Sequence, residues 1–252
     1  MTQKGSSVSS ITWTPAAVAS ELRPWRGLLW RAVEAQHRVA TLRLVDTLQE
    51  QALLEQLLDG SKPAAPAPSR HYLLTTPFRY PPPHPGGSRF RGPADPGVFY
   101  GAEERRTACA ELGYWRWRFL LDSPALLRLE PLPQTLFQAP VECAALDLTT
   151  LPLARDANLW RAPDDYAPCQ ALARVARTAG AGAIRYQSVR DPEEGHCGAV
   201  FNPSAFTSDP VAEQSWRLGV TRERVQWRRD SVLFAESFEF DCGRWKAAAP
   251  SA

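Results

Sequence analysis

Two proline-rich stretches in the first third of the chain constrain its fold more than any other feature. Residues 61–69 read Ser-Lys-Pro-Ala-Ala-Pro-Ala-Pro-Ser, and Pro77-Phe78-Arg79-Tyr80-Pro81-Pro82-Pro83 follows shortly after. Proline fixes φ and removes a backbone donor, so neither stretch can continue a helix. The first is expected as an extended linker or strap. The second runs into His84-Pro85-Gly86-Gly87-Ser88, and a long loop is expected over residues 77–88.

Around these breaks the chain alternates short patterns. Leu28-Leu29-Trp30-Arg31-Ala32-Val33 suits a strand carrying one arginine. Over residues 36–58, Val39, Leu42, Val45, Leu48, Leu53 and Leu57 recur mostly at threes and fours, which predicts an amphipathic helix stopped by Gly60. Residues 97–101 read as a brief buried strand and 103–121 as a helix ended by Asp122-Ser123-Pro124. Strands are expected at 141–147 and 183–188, with a helix at 168–178 between them; 199–201 and 231–240 complete the pattern. The run Arg222, Arg224, Arg228, Arg229, interspersed with Glu223 and Asp230, reads as a solvated helix or loop face. There is no internal repeat and no regular βαβ alternation, so the fold class is mixed α/β (α+β).

Composition narrows the function. A chain of 252 residues suits one main domain. With 29 basic and 27 acidic residues, the net charge of +2 gives no footprint for direct nucleic-acid binding. No apolar run reaches bilayer length, and residues 1–10 lack a signal-peptide layout. The five cysteines are odd in number and form no Cys-x-x-Cys pair, which fits a reducing cytoplasm. Phosphate-loop, dinucleotide-fold, zinc-protease and serine-hydrolase signatures are absent. The four histidines are not at ligand spacing, so no metal is expected, and His84 and His196 read as solvated.

Chemistry is most concentrated between Arg79 and Phe119. In the helix expected here, Ala108, Leu112, Trp115 and Phe119 share a stripe, and Glu111 lies on its flank. An ionised carboxylate aimed at a core must pair or meet a polar pocket. Arg89, Arg91, Arg116 and Arg118 are available partners, and the pattern leaves a structural Glu–Arg pair and a catalytic site equally open. Tyr100, at a strand end, reads first as core, and Ser188 as a strand-end hydroxyl capping its own backbone.

Gly87-Ser88-Arg89-Phe90, then Val98-Phe99-Tyr100, then Ala108-Cys109-Ala110-Glu111 place Arg89, Tyr100 and Glu111 eleven residues apart, with Ile184-Arg185-Tyr186-Gln187-Ser188 further on. In this order and spacing the chain resembles the RES family, the toxin half of bacterial toxin–antitoxin pairs. The resemblance implies a compact fold like that of ADP-ribosyltransferases, NAD as substrate, and cytoplasmic NAD depletion or ADP-ribosyl transfer. It implies that Arg89 contacts the phosphates of NAD, Tyr100 packs on its nicotinamide end, Glu111 supports the nicotinamide ribose, and Ser188 orients the ligand through its hydroxyl. For the family's first arginine, Trp30-Arg31 is favoured and Arg79-Tyr80 is the alternate. Where shorter family members have Gly-Gly-Arg-Trp-Asn, this chain has Gly-Ser-Arg-Phe-Arg.

The organisation so implied is an extension over 1–27, a RES domain over 28–240 carrying the inserted helix 36–58 and the strap 61–69, and a tail over 241–252. The expected partner is a helix-turn-helix antitoxin, with a homodimer as a further possibility. The rival reading is a non-catalytic module of the same fold that docks such a partner through the 36–58 helix.

Overall fold

The computed structural model describes residues 13–35, 47, 49, 50, 53, 57, 70–82 and 84–247. Helix α1 (Pro15–Glu21) is capped by Thr14, whose hydroxyl accepts the Ala17 N–H, and it buries Val18. Strand β1 (Arg23–Glu34) follows. The boundary drawn at residue 28 therefore falls inside a strand. The strap 61–69 and most of the 36–58 helix lie outside the described residues. Thr47 and Glu50 exchange side-chain-to-backbone hydrogen bonds, a capping box. Leu53 and Leu57 are helical and exposed.

Helix α2 (Tyr72–Arg79) takes Pro77 inside its last turn, so the expected loop begins only at Tyr80. Strand β2 (Phe99–Ala102) leads into α3 (Arg105–Leu121). Strand β3 (Arg128–Asp147) is far longer than the segment at 141–147 that the sequence suggests. Its prolines at 131, 133 and 140 hide the rest. Pro131 falls in a shift of register against β6, where a missing N–H is tolerated. Short α4 (Ala157–Trp160) and α5 (Ala167–Thr178) lead to β4 (Ala183–Gln187) and β5 (His196–Val200). Strands β6 (Val211–Thr221), β7 (Arg224–Arg229) and β8 (Ser237–Asp241) and helix α6 (Gly243–Ala247) finish the described chain.

The arginine run at 222–229 is thus mainly a strand rather than a helix or loop face. Val225 and Trp227 point inward, while Arg224 and Arg228 are exposed. Beyond it, strand structure is confined to 237–241, and Val232, Leu233 and Phe234 stand in solvent. Nor is 241–247 a loose tail, because Trp245 packs on Tyr114 and donates its indole N–H to the Arg190 carbonyl at 2.8 Å.

Strand order is β1-β2-β5-β4-β3-β6-β7-β8, and β1 also pairs with β3. Ala145 pairs with both Arg23 and Ala183, and Gln134 with both Glu34 and Trp216, so β1 takes one edge of β3 while β6 and β4 share the other. Five strands therefore close on themselves and the last three extend from the ring. All pairings are antiparallel except β3 with β4. This is the mixed α+β class expected.

Side chains alternate across a strand, and here both faces are buried. Leu29, Phe99, Phe137 and Val200 meet Leu74 and Phe206 in one core. Their chain neighbours Trp30, Leu136 and Ala199 turn to the other, against α3 and α5. Helix α3 approaches closely because Gly113 has no side chain: a Cβ there would lie 2.7 Å from Val225 Cγ1. Ala110, Gly113, Tyr114 and Trp117 thus form its inner face, while Trp115 and Phe119 are 41% and 53% exposed. The expected core stripe is rotated, because aromatic side chains occupy both flanks and spacing alone does not choose between them. No helix among the described residues is long and apolar enough to cross a membrane.

Candidate functional site

The rotation of α3 leaves Glu111 beside a cavity of about 500 Å³, within the range of small-molecule sites. Arg31 from β1, Arg89 from the turn before β2, Tyr100 from β2 and Glu111 from α3 all line it. Tyr80 lines it as well, whereas Arg79 is not among the lining residues.

The Glu111 carboxylate has no arginine within ion-pair distance among the described residues. Arg116, one of the available partners, pairs instead with Glu34 at 2.6 Å. What holds Glu111 is Ser188, whose hydroxyl donates to Oε1 at 2.6 Å. The Ser188 oxygen in turn accepts the N–H groups of Arg190 at 3.1 Å and Asp191 at 3.0 Å. Both lone-pair directions are occupied, so its one proton is directed to the carboxylate. Ser188 is 2% exposed and not part of the cavity wall. In this structure Ser188 acts on the cavity through Glu111, as a positioning residue. Asp191 fastens the same loop to the start of α3, accepting from Thr107 Oγ1 at 2.7 Å and from Arg106.

Arg31 is the opposite case. Its Nη1 donates to the Tyr100 carbonyl at 2.6 Å and its guanidinium lies 4.8 Å from the Phe99 ring centre, while buried Nε has no partner. No carboxylate balances it among the described residues, and burial pulls its pKa down to about 10. A desolvated cation on a cavity wall favours an anion entering that cavity.

Arg89 is 8% exposed and donates from Nη1 to the carbonyls of Trp160 and Ala162, with its guanidinium 4.9 Å from the Tyr166 ring centre. Burial lowers its pKa, but Cys169, Tyr166, Tyr186 and Glu111 together more than offset this, and the net direction is upward. The turn that presents it depends on Gly87, at φ +80, where a Cβ would sit 2.1 Å from the Arg91 carbonyl oxygen. Tyr100 ties down the same turn, its hydroxyl accepting the Phe90 N–H at 2.9 Å and meeting Ser88 Oγ at 2.8 Å. Burial raises that phenol to about 12. Tyr100 is therefore a cavity wall braced by hydrogen bonds rather than plain core.

Sequence reasoning did not find Arg190, 3% exposed and 3.6 Å from the Tyr114 ring centre, or Cys197, both of which line the cavity. The signal for Arg190 was its place two residues after Ser188, on the same loop. His84, read as solvated, also lines the cavity, its ring 6.5 Å from that of Trp115.

Fold and site together define a mixed α+β protein with a cavity that holds buried cations on one wall and a serine-held carboxylate on another. The chain belongs to the RES family: a family model described as RES domain matches residues 62–221. That span contains Arg79, Tyr80, Arg89, Tyr100, Glu111 and Ser188, and leaves out Arg31. No curated protein matches the chain. Among solved structures, a chain of the crystal structure of the M. tuberculosis MbcT–MbcA toxin–antitoxin complex is similar at 16% identity and a TM-score of 0.46, over 82% of this chain and 92% of that one.

Proposed function

We propose that this chain binds NAD and cleaves its nicotinamide–ribose bond, as the toxin of a cytoplasmic toxin–antitoxin pair. The observation that carries the reading is Glu111, a carboxylate with no arginine in ion-pair distance among the described residues, held by Ser188 beside a cavity that Arg31 and Arg89 also line. Arg31 and Arg89 bind the pyrophosphate, for which a planar fork of donors is suited. Tyr100 packs on the nicotinamide end.

Glu111 holds the nicotinamide ribose and supports the positive charge that develops on its anomeric carbon as the bond to nitrogen breaks. The bonding pair leaves with the ring nitrogen, which becomes neutral nicotinamide. An acceptor (water, phosphate or a protein side chain) then takes the ADP-ribosyl group. Ser188 has no free proton or base and takes no covalent part. The partner in this reading is a helix-turn-helix antitoxin that covers the cavity.

The test is nicotinamide release by the purified chain from NAD, with Glu111→Gln beside it. Glu111→Gln is expected to lose on the order of 10²–10³ in kcat, as when one preorganised stabiliser of transition-state charge is removed. Equal release by the two proteins removes Glu111 from the mechanism. Co-expression with the product of the neighbouring gene is expected to suppress release and to yield a stable complex.

A further inference from the structure

The cavity wall carries more positive charge than NAD can use. Four guanidiniums line it, from Arg31, Arg89, Arg91 and Arg190, against the single carboxylate of Glu111. Among the described residues only Arg190 of these four has a carboxylate within ion-pair distance, Asp164 at 3.7 Å. With Asp164 set against Arg190 and Glu111 against one more guanidinium, two positive units remain uncompensated on the wall. NAD brings two phosphate charges and one pyridinium, a net of one negative unit. Its pyrophosphate engages Arg31 and Arg89, which leaves Arg91 without a counterpart.

Arg91 is also the front of a second basic cluster. Its Nη2 donates to the Tyr80 carbonyl at 2.7 Å and its Nε to the Asp95 carbonyl at 3.2 Å, while Nη1 has no partner among the described residues. Behind it, Arg174 Nε meets both Asp95 carboxylate oxygens, at 3.0 and 3.1 Å. Arg177 reaches the Pro96 carbonyl at 3.4 Å and keeps buried Nε and Nη1 unpartnered. Three guanidiniums thus gather around one carboxylate. Burial lowers the pKa of both Arg91 and Arg177, and Asp95, which they share with Arg174, offsets this only in part.

Glu111 and Arg91 are both half-buried on the cavity wall, Glu111 held by the Ser188 hydroxyl and Arg91 by the Tyr80 carbonyl. With the nicotinamide ribose at Glu111 and the pyrophosphate on Arg31 and Arg89, Arg91 is the remaining cation of the wall with no carboxylate in ion-pair distance among the described residues.

We propose that the preferred substrate is the dinucleotide phosphorylated on its adenosine ribose, NADP rather than NAD, and that Arg91 on the cavity wall binds the added phosphate, with Arg177 adding positive charge from behind the wall, where it stacks on Phe201. This rests on the reading that Glu111 acts on the nicotinamide ribose. The extra phosphate contributes about −1.5 to −2 charge, which offsets the positive charge that NAD leaves uncompensated. Guanidinium–phosphate contacts are charge-assisted and give specificity as well as affinity.

The experiment compares nicotinamide release from NADP and from NAD by the purified full-length chain, and repeats it with Arg91→Gln and Arg177→Gln. The expected kcat/KM favours NADP about tenfold or more, the effect of one good charged contact. In both variants the NADP-to-NAD ratio falls toward one. Parity or a preference for NAD in the unmutated chain overturns the proposal and leaves the cleavage reading standing. So does an unchanged ratio in the variants, which is what a purely structural role for these arginines produces.

A third arm adds inorganic phosphate to the NAD reaction. If phosphate accelerates NAD cleavage and Arg91→Gln abolishes the acceleration, the cluster binds a free phosphate acceptor and the proposal is overturned. Binding of NADP and NAD to Glu111→Gln by calorimetry separates the two levels. Tighter binding of NADP supports the proposal even if turnover is slow. If neither dinucleotide is bound or cleaved, the cleavage reading fails and takes the proposal with it.

Discussion

Glu103 and Glu111 lie eight residues apart on one continuous segment, yet their surroundings are opposite. Glu103 receives Arg185 in a two-pronged pair, at 2.6 Å from Nε and 2.9 Å from Nη2. Arg185 reaches on to Asp147 at 3.1 Å, and its pKa is raised, chiefly by the hydrogen bond to Glu103. Glu111 has a neutral hydroxyl in place of a cation, and Arg31, on the same cavity, has a carbonyl in place of an anion. The residue types are the same in both places. In the Arg185 cluster the charges satisfy one another and stabilise the sheet, whereas around the cavity they are kept apart and available to a ligand.

Mutations at the two places should separate chemistry from stability. The largest effect is the loss of turnover in Glu111→Gln, on the order of 10²–10³, with a thermal midpoint that stays near that of the unmutated chain. Next is Arg31→Met, expected to weaken dinucleotide binding about tenfold or more by calorimetry. Without ligand its stability should be unchanged or raised, because an unbalanced buried cation gives way to an apolar chain of similar length. A clear loss of stability in Arg31→Met would show that its bond to the Tyr100 carbonyl matters more to the fold than its charge costs.

Glu103→Gln should do the reverse. Its partners are partly exposed, so screening limits the loss to about 1–2 kcal/mol, or roughly 2–8 °C in melting temperature for a chain of this size. Turnover should hardly change. Activity that fell with Glu103 would abolish the distinction between the two regions.

The same contrast explains what was legible in the sequence. Arg31 was legible as the one arginine of the strand at 28–33, but its place in a site came only through the family resemblance, with Arg79 as the alternate. Glu111 was visible because helical spacing put it beside apolar positions. That it lacks an arginine was not visible, since pairing is decided by β4 and its following loop, more than seventy residues away. Strands β6 and β7 were missed for a related reason. Their pattern makes sense only once β3 lies alongside, and prolines at 131 and 133 hide that part of β3. Helix α3 shows the limit of periodicity most clearly: Gly113, rather than the Trp115 stripe, decides which flank meets the sheet.

The smallest expected effect concerns the alkaline limb of stability, where Arg31 and Tyr100 act in opposite directions. Burial lowers Arg31 from the ordinary guanidinium range to about 10, so above pH 10 the unfolded chain holds more protons and stability rises with pH. Burial raises Tyr100 from 10.0 to about 12, so over nearly the same interval the folded chain holds more protons and stability falls with pH. The two slopes largely cancel in the unmutated chain. Arg31→Met removes the rising contribution, and relative to the unmutated chain its stability should fall more steeply from about pH 10 to 12 in denaturant titrations. Tyr100→Phe removes the falling one and should show the opposite difference in slope, whatever stability it loses through the bonds to Phe90 and Ser88. Addition of a dinucleotide should steepen the fall in the unmutated chain, because a bound anion favours charged Arg31 and cancels the rise. If the slopes of both variants match that of the unmutated chain, Arg31 is not desolvated as the cavity geometry requires, and it belongs with Arg185 as a structural cation.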